Sequence, residues 1–225
     1  FAKKIVIKRL RSHLADDPRV TSMFEDEARI GALLSHPHIV QVFDAGSNDD
    51  LPFIAMEYIQ GEELSALCRR GIRVDQFLPL NHTLELMRQA AMGMGYFHGI
   101  AGESGTELGL VHCDISPNNF LVTRDGFLKV IDFGISRFQG QFYQDDDVVP
   151  GKLSYMSPEQ VRREPIDRRS DIFALGVVLF ELLSGERLYA DQESVPRAIL
   201  ESPVPDIGEH HRDLPPPLSA LLFEM

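Results

Sequence analysis

The stretch VHCDISPNNFLV, Val111 to Val122, decides the fold. It sets a histidine, an aspartate and two asparagines between two apolar runs. Polar groups at a turn that both neighbours bury must be hydrogen-bonded or do chemistry, because burial otherwise costs free energy. Asp114 and Asn119 lie within it, and Asp132 follows further on, ahead of Phe133 and Gly134. One carboxylate of such a set can take a proton from a hydroxyl nucleophile. A second carboxylate and a carboxamide can hold Mg²⁺, a hard ion that takes oxygen ligands. Upstream, Lys8 falls on a short β-branched run and Glu27 on a helical one. A lysine and an acid on separate elements can pair, and the lysine can then neutralise phosphate oxygens. Positioning and charge neutralisation are most of what phosphoryl transfer asks of a protein.

The rest of the chain is compatible with that chemistry. Its 225 residues suffice for one large domain or two small lobes. With 22 basic and 34 acidic residues the net charge is −12, which disfavours a general grip on nucleic acid or anionic lipid. No apolar run approaches the ~20 residues that cross a bilayer. Two cysteines, Cys68 and Cys113, form no CxxC pair, so a reducing, cytoplasmic setting is expected.

Periodicity predicts a strand at Ile5–Leu10 and a helix at Thr21–Leu34, with Glu25, Asp26 and Glu27 in its early turns. Buried strands are predicted at Ile39–Ala45 and Phe53–Tyr58, then helices at Glu62–Arg70 and Leu80–His98. Short strands follow at Phe120–Val122 and Leu128–Ile131, and a helix buried all round at Ser170–Ser184. The order is a small strand-rich half followed by a large helical half.

Here the sequence resembles the eukaryotic-type protein kinases, in their bacterial Ser/Thr style. VIKR resembles the strand that carries the phosphate-binding lysine, DEAR the helix with its partner glutamate, and HCDISPNN the catalytic loop. DFG is complete, and MSPEQ resembles the end of the activation segment. One such motif is weak; five in order are specific. The resemblance implies an α+β, bilobal protein-kinase-like fold. Residues 1–59 would form a partial, strand-rich N-lobe with one helix, and residues 60–225 a mainly helical C-lobe. It implies ATP and Mg²⁺ as cofactors, a protein substrate, and Ser/Thr hydroxyls as acceptors.

Carried over residue by residue, Asp114 resembles the base that orients the acceptor hydroxyl. Asn119 and Asp132 resemble the metal ligands, and Lys8 the α/β-phosphate residue held by Glu27. Met56 resembles the residue at the back of the adenine pocket. Glu57 to Ile59 resemble the hinge, Val6 and Leu121 the two faces about the adenine ring, and Asp171 the residue that holds the catalytic loop from below. Simpler readings exist for several of these positions. Lys8 alone reads as an exposed strand lysine and Glu27 as one acid of a solvated face. His112 is expected to pack under Phe133, and Cys113 to be a small buried residue. Met92 and Met94 are expected in the core. Asp145 to Asp147 read as a solvated loop, and His210 and His211 as exposed.

Three departures from the family pattern carry expectations. Cys113 stands where many kinases have the arginine that receives an activation-loop phosphate, so activity is expected not to depend on phosphorylation there. Ser116 stands where a lysine is usual, while Lys152 stands where a threonine is usual. The expectation is that Lys152 reaches the γ-phosphate and Ser116 supplies the hydroxyl; otherwise Lys152 is a solvated loop residue. The glycine-rich loop has no counterpart before Lys8, and Glu159 resembles the acid that pairs with an arginine beyond the late helices, before which this sequence ends. The sequence therefore reads as a fragment of a longer product, weak in nucleotide binding by itself. A pseudokinase scaffold is the alternative from another class. A small-molecule phosphotransferase sharing HxDxxxxN is a third reading, against which MSPEQ speaks. Tyrosine specificity is disfavoured, because the alanine–arginine pattern of tyrosine kinases is absent from the catalytic loop.

Overall fold

The structure is a computed structural model that describes residues 2–49, 51–74, 78–102, 104–133, 137–138, 153–189, 195–210 and 214–225. It is an α+β fold of two lobes, each with its own apolar cluster.

The small lobe is a three-stranded antiparallel sheet in the order β1 (Ile5–Arg9), β3 (Leu51–Glu57), β2 (Val42–Asn48). Facing residues on the sheet pair as Val6 with Met56 and Lys8 with Ile54, so Val6 and Lys8 share one face of β1. Ahead of β2 come a short helix, α1 (Ser12–Ala15), and the long helix α2 (Pro18–Leu33). Asp17 caps α2, accepting from Arg19 N, and Pro18 takes the first turn, where its missing N–H costs nothing. The helix thus starts three residues before the predicted Thr21. Glu25 to Glu27 lie in its middle rather than its first turn, so the helix dipole does not explain them. The lobe's buried cluster is Leu10, Phe24 and Ile54.

The second predicted strand is also displaced. Ile39 and Val40 are buried but outside β2, and β2 itself is largely exposed. A bulge at Phe43 shifts its register against β3.

The large lobe is built on α4 (Leu80–His98) and α6 (Arg168–Ser184). Along α4, Leu86, Ala90, Met94 and Phe97 recur at helical spacing and face the core, as predicted. Met92 does not: it faces solvent and meets the Arg88 guanidinium. Between Met92 and Met94, Gly93 sits under the chain at His38. A Cβ there would come within 3.0 Å of His38 O, so glycine permits the close approach. α6 is apolar nearly all round and ends at Gly185, whose φ of 73° supplies a left-handed cap.

The residues after the hinge hold a strand where the helix was predicted to begin. β4 (Gly61–Glu63) pairs with β6 (Phe120–Thr123), which pairs with β7 (Leu128–Val130); α3 (Leu64–Val74) starts only at Leu64. The other short elements are β5 (Leu110–Val111), β8 (Arg137–Phe138), α5 (Pro158–Arg162), α7 (Val195–Glu201), α8 (Ile207–His210) and α9 (Pro216–Glu224).

The two lobes are stitched along one seam. Val40 N donates to Val130 O and Val130 N to His38 O, both at 2.9 Å. Lys129 Nζ meets Glu57 Oε2 at 2.9 Å. Met56 packs against both apolar clusters, so the back of the cleft is common to the two cores.

Candidate active site

The catalytic loop is held from beneath by one buried carboxylate. Asp171 Oδ2 accepts from His112 N at 2.8 Å, and Asp171 Oδ1 from Cys113 N at 2.9 Å. Asp171 Oδ2 also lies 2.8 Å from His98 Nε2, at the end of α4. Asp171 is almost wholly buried, so these donors meet the desolvation cost that an unpaired acid would impose. Cys113 sits in the left-handed region, φ 68°, which a side chain adopts only where its surroundings impose it. His112 packs its ring 4.9 Å from that of Phe133, as expected, and both lie near Phe97.

Above this base, Asn119 orients Asp114. Asn119 Nδ2 donates to Asp114 Oδ2 at 2.7 Å and to Asp114 O at 2.8 Å. The Asn119 side-chain oxygen takes no part in these two bonds. The β6–β7 hairpin then returns the chain, and Ile131 N donates to Asn119 O at 2.9 Å, immediately before Asp132. Asp114, Asn119 and Asp132 reach one corner through these backbone bonds. Asp132 also has a left-handed backbone, φ 66°.

Across the cleft, Lys8 Nζ lies 2.5 Å and 2.7 Å from the two Glu27 oxygens and 2.9 Å from Asp132 Oδ1. The contact with Asp132 joins residues 124 positions apart. Burial works to lower the Lys8 pKa, but the Glu27 and Asp132 carboxylates outweigh it and the net shift is upward. Glu27 is also shifted upward, by burial first and then by the Asp132 charge, against the opposing pull of Lys8. The two partners differ because Lys8 faces two acids, whereas Glu27 faces one cation and a second acid. Lys8 gains from the cluster and Glu27 is strained by it. Among the described residues this corner sets two acids against one lysine, and Asp132 is half-exposed.

Asp132 and Asn119 fit a hard divalent ion, since both present oxygen. Among the described residues no group of three or more His, Cys, Asp or Glu could cage a metal alone. A small ion such as Mg²⁺ typically takes only one or two protein carboxylates and completes its shell with phosphates and water.

The remaining predicted residues frame the cleft's inner end. Val6 is opposite Met56 on the sheet, and Leu121 is opposite Glu63 on β4. The Glu57 N–H is taken by Gln41 O at 2.8 Å and its carboxylate by Lys129. Ser116 Oγ is buried without a hydrogen-bond partner among the described residues. Lys152, Gly134, Asp145 to Asp147 and His211 lie outside the described residues.

Two polar residues of this site escaped the motif reading. His98 reads as the last turn of a helix, and its contact with Asp171 spans 73 positions. Gln160 reads only as the tail of MSPEQ, yet Gln160 Nε2 donates to Cys113 O at 3.2 Å. His98 is a polar side chain at the end of a helix whose inward face is otherwise largely apolar, whereas nothing local marks Gln160. Glu159 accepts from Ser170 Oγ. Ser154 and Tyr155 are buried, and Tyr155 Oη donates to Glu181 at 2.6 Å. Neither hydroxyl faces solvent as a phosphorylation acceptor would.

The sequence matches the protein kinase domain family over residues 1–219. It is 40% identical over 227 residues to the tyrosine-protein kinase MasK of Myxococcus xanthus, covering 100% of this chain and 35% of that protein. It is 34% identical over 232 residues to the serine/threonine-protein kinase PknB of Mycolicibacterium smegmatis, covering 99% and 35%. With the probable serine/threonine-protein kinase SCO3848 of Streptomyces coelicolor it shares 36% over 222 residues, covering 96% and 30%. The chain thus spans about a third of the length of these relatives. Among solved structures, the kinase domain of Mycobacterium tuberculosis PknI superposes with a TM-score of 0.68 at 26% identity, covering 95% of this chain and 72% of that one.

Proposed function

The chain belongs to the protein kinase domain family, and on that premise we propose that it transfers the γ-phosphoryl group of ATP to serine and threonine hydroxyls of proteins. The observation that carries this reading is the Lys8 ammonium, bonded at once to Glu27 on the small lobe and to Asp132 beside the catalytic loop.

Each side chain has a distinct task. Asp114 accepts the proton of the acceptor hydroxyl as that oxygen bonds to the γ-phosphorus and the bond to the β-phosphate oxygen breaks, releasing ADP. Asn119 keeps the Asp114 carboxylate turned toward the acceptor. Lys8 neutralises α- and β-phosphate oxygens and is aimed by Glu27. Asp132 and Asn119 would hold Mg²⁺, which when bound neutralises the charge on the β/γ-phosphate oxygens. The Glu57 carbonyl and Ile59 backbone take the adenine edge; Val6, Leu121 and Met56 enclose its faces. Lys152 supplies a positive charge to the γ-phosphate and Ser116 a hydroxyl beside the base, so Lys152→Met is expected to lower turnover. An unchanged turnover would remove Lys152 from the mechanism. The buried Ser154 and Tyr155, together with Cys113 in place of a phosphate-binding arginine, support activity independent of activation-loop phosphorylation. We place the protein in the cytoplasm. Among the described residues no helix is long and apolar enough to cross a membrane.

Acceptor choice is tested by phosphoamino-acid analysis of a generic basic protein incubated with the chain and labelled ATP·Mg²⁺. Phosphoserine and phosphothreonine are expected. Label mainly in phosphotyrosine would overturn the acceptor assignment, and would agree with the name of MasK.

A further inference from the structure

The peptide that joins Cys113 to Asp114 is fixed from both sides. Its carbonyl, Cys113 O, accepts from Gln160 Nε2 at 3.2 Å, and its N–H, on Asp114, meets His112 Nδ1 at 3.3 Å. The preceding N–H, on Cys113, is held by Asp171. Cys113 itself is left-handed, a conformation that is unfavourable for a side chain and persists only where neighbours over-determine it.

Gln160 is suited to this task. It is 2% exposed and stands at the third position of α5. Its side-chain oxygen accepts from Ser157 N at 2.9 Å, in a reciprocal cap with the Ser157 hydroxyl. Its nitrogen is thereby turned to Cys113 O. A flipped amide would oppose two donors at Ser157 and two acceptors at Cys113, so the orientation has one favourable sense. One carboxamide therefore joins the end of the activation segment to the peptide that aims the base.

We propose that Gln160 is a positioning residue for Asp114, a permanent link between activation segment and catalytic loop that does the work of a phosphate contact at position 113. This rests on Asp114 being the base.

The test compares Gln160→Glu and Gln160→Leu with the unaltered chain. Gln160→Glu keeps the acceptor for Ser157 N, so α5 stays capped, but its ionised form cannot donate to Cys113 O. Turnover relative to the unaltered chain should fall as pH rises through the carboxyl's titration, while the KM for ATP is unchanged. Gln160→Leu should lose on the order of 10- to 100-fold in turnover at every pH. Hydrogen exchange at the Cys113 and Asp114 amides should speed up in Gln160→Leu. A pH-independent ratio for the Glu variant, or unaltered turnover and exchange in the Leu variant, would overturn the proposal. If the unaltered chain transfers no phosphate, the kinase reading fails. The exchange rates then decide on Gln160 alone: faster exchange upholds the link and unchanged exchange refutes it.

Discussion

The floor of the site and its front wall are built on opposite principles. Beneath the catalytic loop, Asp171 is buried and its oxygens are met by two backbone N–H groups and His98. At the front, Lys8, Glu27 and Asp132 form a part-exposed cluster of one cation and two acids. The floor is satisfied by the protein alone. Among the described residues the front sets two acids against one lysine, and a metal–nucleotide complex would rearrange it. The first region is therefore a matter of stability and the second of ligand.

The largest consequence lies in separating those two roles. Asp171→Ala strands buried donors on His112 and Cys113 and should cost about 3–5 kcal/mol in denaturant unfolding. Lys8→Met leaves the buried Glu27 carboxylate without its cation and should cost less, about 1–3 kcal/mol, yet abolish phosphate transfer. Equal losses of stability would break the comparison.

A smaller effect follows from Glu27. Its folded-state pKa is raised, by burial first, so the folded chain binds this proton more tightly than the unfolded chain does. The contribution to stability is fully present below the unfolded value of 4.5 and is lost as pH rises from there through the folded value. Lys8 is also raised, from 10.5, so its own contribution holds throughout that acid window and is lost only at alkaline pH, as pH rises from 10.5 through its folded value. Thermal unfolding between the two Glu27 values should show this slope, and Glu27→Gln should flatten it. An unchanged slope would place the titration elsewhere.

The smallest effect concerns the buried side. Burial, and then the Glu181 charge, pushes the Cys68 thiol up to about 12. Cys68 should resist iodoacetamide at pH 8 in the folded protein and react on unfolding. Rapid labelling of the folded chain would show that this side opens.

The chemistry of the front was more legible in sequence than the scaffolding behind it. Lys8, Glu27, Asp114, Asn119 and Asp132 sit in ordered motifs; the structure joins Lys8, Glu27 and Asp132 in one cluster and Asp114 with Asn119 in another. The helix at Leu80–His98 was legible because its apolar spacing is unbroken and Gly99 follows. The supports were not legible. Gln160 and His98 act across 47 and 73 positions, and no local pattern encodes a partner so distant. β2 runs on past the predicted end at Ala45 through Gly46, Ser47 and Asn48, residues of low strand propensity; its pairing with β3 decides the strand. Glu62 and Glu63 suit a helix start, but Gly61 lets β4 pair with β6, since a Cβ there would fall 2.3 Å from Val122 O.

The most direct test sets Asp114→Asn beside the unaltered chain, with labelled ATP·Mg²⁺ for transfer and calorimetry for nucleotide binding. The account predicts transfer by the unaltered chain, a loss of about 10²- to 10⁴-fold in the variant, and ATP affinity within a few-fold. Transfer that survives Asp114→Asn undiminished, or ATP bound by both with transfer by neither, would contradict it.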